Sequence, residues 1–467
     1  MPESSRHSGP SPSPIRINRR YEGSQVAGRA PFPSCNPARR VGGLACWILL
    51  SLLWGGCLNR DSMPTMTGAN TGPYLTSFEN LDRVRELMDR GEGMYPELNE
   101  HLVFVADTIL ASDRTYSVTY QTRQAHSPTG SSHDYVSMAR YVWPDPDNPE
   151  IYTVRDSQTN PEIYNYDRGE LGSLARVTHT LALAWYMTRN EAYAERMARL
   201  VRIWFLDDPT RMRPHFRHAQ FWPGVNSGGP QGIIEASDFI QILEAVSIAQ
   251  KSASWTTEDH IQLQEWVWEF QQWVVKNYSR DAFVHSNVGT WIDAQKAVYA
   301  LFTEQEHLLE SGNYLMPIED RIDFQITPDG QQPTEATRWR SMDYTFFNLR
   351  AWLTLIEIRA NVQKVPELST IQARSSLSSS SIRGASVLGA LDWFFPFASG
   401  ESDWEEAGFQ QLEDFDRCRL IEVYRPAALR LQRFGYENLV RDILENPDCR
   451  TNPTLLTHPP LSVDDGS

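Results

Sequence analysis

The chain has 467 residues, a formal net charge of −16 and 41% hydrophobic residues, enough apolar content for a large buried core and too much for a disordered tail. This acidic balance excludes a nucleic-acid binder, which needs a strongly basic face. An anionic ligand would be repelled at long range, with screening setting in only beyond roughly 8–10 Å, so it would require a locally basic cleft.

The first 57 residues form a separate object. A Pro/Ser/Arg-rich prefix leads to Arg39 and Arg40, an almost wholly apolar run from Leu44 to Trp54, and the sequence WGGC ending at Cys57. The run is too short to span a bilayer comfortably, and its basic flank and small-residue exit fit an export signal. Small residues followed by cysteine resemble the lipobox of bacterial lipoproteins. That implies cleavage before Cys57 and a lipid on its sulfur, hence a periplasmic or cell-surface protein held to the outer membrane. Residues 1–56 hold seven arginines and two glutamates, so the body from Cys57 onward carries −21. Cys35 and Cys46 would leave with the signal, and Cys418 and Cys449 remain as a possible disulfide.

Residues 58–75 read as a polar linker and residues 76–467 as one domain. Helical periodicity runs through Leu171 to Met187, Ala236 to Ala249, Trp291 to Phe302 and Phe347 to Ala360. Thr256 and Asp259 open a further helix with a capping-box pattern, and Leu263, Trp266, Val267, Phe270, Trp273 and Val274 lie on its apolar stripe. Helix after helix without strand-like alternation predicts an all-α architecture. SSLSSSS, residues 375–381, reads as an exposed loop. HFRH, with His215 and His218 among Arg211, Arg213 and Arg217, reads as a basic surface strip, and no spacing of Cys or His suggests a metal.

Four clusters punctuate the helices: SSHDYVSMARYVWPDP (131–146), QFWPGVNSGGPQGII (220–234), HSNVGTWIDAQ (285–295) and PDGQQPTEATRWRSMDYTFFNL (328–349). Each sets Gly, Pro, Asn or aromatic residues beside a helix start, where loops at one end of a bundle converge on a cleft. Gly228, Gly229 and Gly232 read as turn residues.

The series HDYxS…YxWPxP, RDxxxNPE (155–162), QFxPG, GIIE, NxGTWxDAQ, PDGxQPxExxR and the Tyr344…Asn348-Leu349 stretch resembles the alginate lyase family over roughly residues 80–365. The resemblance implies an incomplete α/α toroid and β-elimination, without cofactor, on an anionic uronic-acid polysaccharide, by a chain that works as a monomer. In such a reaction the uronate carboxylate must be neutralised before the poorly acidic C5 proton can leave, and a base and an acid must act on C5 and on the departing oxygen. Carried over by position, Asn287 and Arg338 handle the carboxylate and Tyr344 is base and acid, with Arg338 favouring its tyrosinate. A plainer reading pairs Arg338 with Glu335, one turn away. Two positions depart from the pattern: Val288 stands where the family has its catalytic histidine, and Asp343 replaces the histidine before the tyrosine. If the C5 proton and the leaving oxygen share a face of the sugar, Tyr344 alone suffices; otherwise a second group is needed, for which His285 is the candidate.

Tyr135 lies in a segment resembling the family's lid loop. Gln220, Trp222, Asn226, Trp291 and Glu335 complete the expected substrate-binding set. Two other readings compete with the lyase. One is a noncatalytic saccharide-binding lipoprotein, favoured by the lost histidine. The other is a glycoside hydrolase using Glu235 and Asp238, although acidic residues at a helix start are ordinarily stabilised by the helix dipole.

Overall fold

A computed structural model describes residues 63–69, 71–120, 128–361 and 377–461; the proposed export signal and Cys57 lie outside them. The described residues belong to one compact unit, 60–467. The helices are α1 (Phe78–Asp89), α2 (Tyr95–Ala111), α3 (Arg168–Thr188), α4 (Glu191–Phe205), α5 (Asp238–Ala249), α6 (Thr257–Asn277) and α7 (Asn287–Phe302). They continue with α8 (Ile318–Gln325), α9 (Pro333–Ala336), α10 (Ser341–Asn361), α11 (Val387–Ser399), α12 (Ile421–Leu431), α13 (Phe434–Ile443) and α14 (Thr454–Thr457). Packing follows a ring: α3 meets α5, α5 meets α7, α7 meets α10, α10 meets α12, α12 meets α14, and α14 returns through α1 to α3. Outer partners such as α4 on α3 and α6 on α7 back the ring, and the architecture is the expected incomplete α/α toroid.

An inner helix is covered on nearly every side, so its polar residues need internal partners. In α7 every residue from Gly289 to Phe302 is buried. Asp293 is paired with Arg321, both at 1% exposure, and Lys296 donates to the carbonyls of Tyr278 and Tyr314. Burial pulls the Lys296 amine down to about 8. Gly289 is required by close approach, because a Cβ there would lie 2.4 Å from the Phe283 carbonyl oxygen and 2.3 Å from Arg321 Nη1. Between α4, α5 and α6, Phe205, Phe239, Trp266 and Phe270 meet edge-to-face at centroid distances of 4.7–5.6 Å. Each such pair adds about 0.5–1.5 kcal/mol beyond its burial, which is where much of the aromatic content goes.

The capping box at Thr256 and Asp259 is present. Two inner helices begin earlier than the periodicity indicates, α7 by four residues and α10 by six, so Asn287 is the first residue of α7 and Tyr344 lies in the first turn of α10. Among the described residues four short strands escape a pattern reading, because three or four residues cannot display alternation: β1 (Val136–Met138) pairs in parallel with β4 (His218–Phe221), and β2 (Val142–Pro144) antiparallel with β3 (Tyr152–Val154). The end of the expected linker is strapped to the body: Thr67 donates through N and Oγ1 to Glu304, and Thr71 Oγ1 to the Leu301 carbonyl. Within SSLSSSS, Leu377 and Ser381 are buried rather than exposed. Cys418 and Cys449 form a disulfide, tying the turn before α12 to the turn after α13.

Candidate active site

The ring encloses a cleft of about 1150 Å³. Of the residues singled out from sequence, Gln220, Trp222, Asn226, Asn287, Trp291 and Tyr344 line it, as do Glu235, Asp238, Val288 and Asp343.

Tyr344 is held from two directions. Its hydroxyl shares a 2.6 Å hydrogen bond with that of Tyr141 and accepts one from Arg338 Nη2 at 2.9 Å. The guanidinium carbon of Arg338 stands 3.8 Å from the centre of the Tyr344 ring, a cation–π contact. Asp156 grips Arg338 through both Nε and Nη2, the fork geometry that fixes a guanidinium. Burial pushes the Tyr344 phenol far above its usual value and Tyr141 pushes it the same way, while Arg338 opposes them. Arg338 thus acts in the expected direction, favouring the tyrosinate, but burial and Tyr141 outweigh it, so the group at rest is a phenol with a cation beside its oxygen.

Asn287 is set by a carboxylate behind it. Glu335 accepts from the Asn287 backbone N–H at 2.7 Å and from Nδ2 at 2.8 Å, and is itself 1% exposed with its carboxyl pushed up by burial. A buried polar chain links this corner to α10: Asn348 Nδ2 donates to Gln325 and Gln332, and Thr290 Oγ1 donates to Gln325. The start of α10 is pinned from the other side, with Ser341 donating to the Gln410 carbonyl and accepting from Trp404 Nε1. Asn287 and Tyr344 thus sit on two helix starts whose relative placement is fixed by satisfied, buried hydrogen bonds. Asp343 takes Arg340, Arg419 and Gln411, so it anchors arginines where the family carries an imidazole.

The other wall holds Gln220 at φ 48°, a left-handed conformation uncommon for a side-chain-bearing residue and held here by neighbouring bonds: its N–H donates to Ser137 Oγ and its Nε2 to Glu235. Asn226 closes its own turn, accepting from the N–H groups of Trp222 and Gly228. Gly228 and Gly232 allow close backbone passage, since a Cβ would strike Arg217 and Ala219. The indole N–H groups of Trp222 and Trp291 are buried without a hydrogen-bond partner among the described residues.

Four expected site residues do not line the cleft. Tyr135 is not a lid: it is fully buried, stacked 4.1 Å from Phe216, and donates to Glu235. His285 is exposed, with Nδ1 bonded to the Phe324 carbonyl and its ring edge-on to Phe324, so its backbone turn carries it outward. Glu335 is buried behind Asn287, accepting from its backbone N–H and Nδ2. Arg338 stands beside Tyr344, its guanidinium paired with Asp156 rather than with Glu335. The hydrolase pair is also occupied: Glu235 accepts from Tyr135, Ser137 and Gln220, and Asp238 is ion-paired with Arg168. His215 and His218 flank the buried Asp134 at 3.4 and 3.8 Å rather than forming a surface strip, and no group of residues suited to a metal ion occurs among the described residues.

The model of the alginate lyase family matches residues 119–404, well over half of the chain. The chain belongs to the alginate lyase family. It is a polysaccharide lyase. A solved alginate lyase from Bacteroides ovatus is 28% identical and superposes with a TM-score of 0.73, covering 84% of this chain and 99% of its own. Alginate lyase A1-III from Sphingomonas species A1, solved as a histidine-to-alanine variant with a tetrasaccharide, is similar in fold, at 14% identity, a TM-score of 0.51 and coverage of 85% of this chain and 98% of its own. No curated protein matches in sequence. In this alginate lyase family member Tyr141 and Asp156 are the functional neighbours that sequence reasoning passed over. Both lie inside the motifs quoted above, Tyr141 opening YxWPxP and Asp156 in RDxxxNPE, but only the fold shows that these motifs reach Tyr344.

Proposed function

We propose that the protein cleaves a uronic-acid polysaccharide by syn β-elimination, with Tyr344 and Tyr141 as a coupled acid–base pair and Asn287 as the donor to the uronate carboxylate. The observation that carries this reading is the 2.6 Å contact between the two phenols with Arg338 on Tyr344. In the reacting form the pair has lost one proton, and the Arg338 charge and the Tyr141 hydroxyl stabilise the Tyr344 oxyanion. Tyr344 takes the C5 proton, the C4–O4 bond breaks, a C4=C5 double bond forms, and Tyr141 gives its proton to O4. One proton enters the pair and one leaves, so no histidine is needed and Val288 is tolerated as an apolar wall.

Two hydroxyls this close address one face of a sugar. The C5 hydrogen and O4 are cis in D-mannuronate and D-glucuronate and trans in L-guluronate, so the reading favours mannuronan or glucuronan over guluronan. It is tested by incubating the purified body with each polymer and following ultraviolet absorbance of the 4,5-unsaturated uronate. Product from a cis polymer is the expected outcome; folded protein that yields none from any uronate polymer would sink the reading. We further propose export and lipid anchoring at Cys57, with the enzyme working as a monomer. Cys57→Ser should move it from the membrane to the soluble fraction; unchanged membrane attachment would count against the anchor.

A further inference from the structure

Beside the main cleft, and sharing Arg140, Arg168, Gly172 and Arg176 with it, lies a hollow of about 240 Å³. Its remaining lining is Thr159, Ile163, Tyr164 and Gly169. Arg168, Gly172 and Arg176 recur every four residues and so share one face of α3. A Cβ at Gly172 would lie 3.2 Å from Arg168 Nη1 and 3.6 Å from Arg176 Nη1. The two guanidiniums therefore converge over the Gly172 floor. Asp238 balances Arg168; Arg140 and Arg176 have no carboxylate partner among the described residues. Three arginines against the carboxylates of Asp238 and Glu235, both of which act on Arg168, leave a net cationic hollow whose own lining holds no carboxylate, in a chain of net charge −16, the local basic feature that an anionic ligand requires. Tyr164, 70% exposed, supplies a flat ring at its rim, suited to stacking on a sugar face.

We propose that this hollow is a second carboxylate subsite, binding the uronate group of a sugar next to the one that reacts. The inference rests on the polyuronate reading of the main cleft and names what that reading leaves open, namely how the enzyme selects among uronic-acid polymers. Arg140 immediately precedes Tyr141, so the hollow adjoins the acid–base pair. The substrate it suits carries carboxylates on consecutive sugars, as in a homopolyuronate, rather than on alternate ones. Guanidinium forks bind carboxylates strongly and in fixed orientation, so the subsite also holds the polymer in register.

The test is calorimetric titration in a Tyr344→Phe background, which stops turnover, with three oligosaccharides: a tetramannuronate, the same tetramer with its carboxyl groups reduced to alcohols, and a sulfated neutral glucan oligomer. Arg140→Gln combined with Arg176→Gln should weaken tetramannuronate binding about tenfold or more and leave the reduced tetramer unaffected, and Arg176→Lys alone should lose less than Arg176→Gln. Unchanged tetramannuronate binding, or an equal loss for the reduced tetramer, overturns the proposal. Arginine-dependent binding of the sulfated glucan without that of the tetramannuronate would also overturn it, assigning the hollow to a sulfate ester. Unsaturated product from the unsubstituted enzyme is measured separately: its absence, with the arginine-dependent binding intact, would remove the lyase reading and leave the subsite standing.

Discussion

Burial acts alike at the two ends of the cleft, and they differ in what stands beside the buried group. At the reacting end the Tyr344 phenol is pushed up by burial but has Arg338 and Tyr141 against its oxygen, so loss of a proton there creates a charge that is received. At the deep end Glu244, His179 and His458 also line the cleft, yet burial drives each toward its neutral form, the carboxyl up to about 7 and the imidazoles down to about 4. No cation pairs with Glu244 among the described residues; it accepts backbone N–H groups of Tyr74 and Leu75 instead. A perturbed titration therefore does not mark the chemistry by itself. A perturbed group with a partner placed to take its charge does.

The comparison makes unequal demands on substitutions. Tyr344→Phe should show the largest effect, a loss of about 10³-fold or more in kcat with substrate binding retained; full activity would place the base elsewhere. Tyr141→Phe removes the second hydroxyl and should lower kcat by about 10²-fold, whereas an effect confined to KM would make it a binding group only. At the deep end Glu244→Gln should leave kcat within about twofold but change stability with pH. The folded-state value of Glu244 is raised, so its stabilising contribution is present below the unfolded carboxyl range and is lost as pH rises through about 7. Thermal unfolding should show the variant gaining about 2 °C or more at pH ~8.5 and nothing near pH ~4.5; the same gain at both would mean that charge is not the cause. His285→Ala, outside the cleft altogether, should change neither kcat nor KM by more than about twofold. A large loss there would return a histidine to the mechanism.

The toroid was legible because its inner helices repeat apolar residues at helical spacing and because the motifs at their starts come in a fixed series. Asn287 and Tyr344 were legible for the same reason: each sits within a motif that opens a helix. What could not be seen was direction. His285 is two residues from Asn287, yet the turn before α7 points it at Phe324; Tyr135 lies in a loop-like segment, yet the β1–β4 pairing buries it. The partnership of Arg338 with Asp156 spans 182 positions, a separation that no local pattern encodes. Tyr141 was in view and unassigned, since a tyrosine in a motif carries no mark of the hydroxyl it will meet.

The central claim is that two phenols on one face of the sugar perform the elimination. It is tested most directly by the initial rate of unsaturated product from mannuronan and glucuronan against that from guluronan, at equal uronate concentration. The account predicts that at least one of the two cis polymers is cleaved well ahead of guluronan. Guluronan cleaved as fast as both, or faster, would require acid and base on opposite faces and would contradict it.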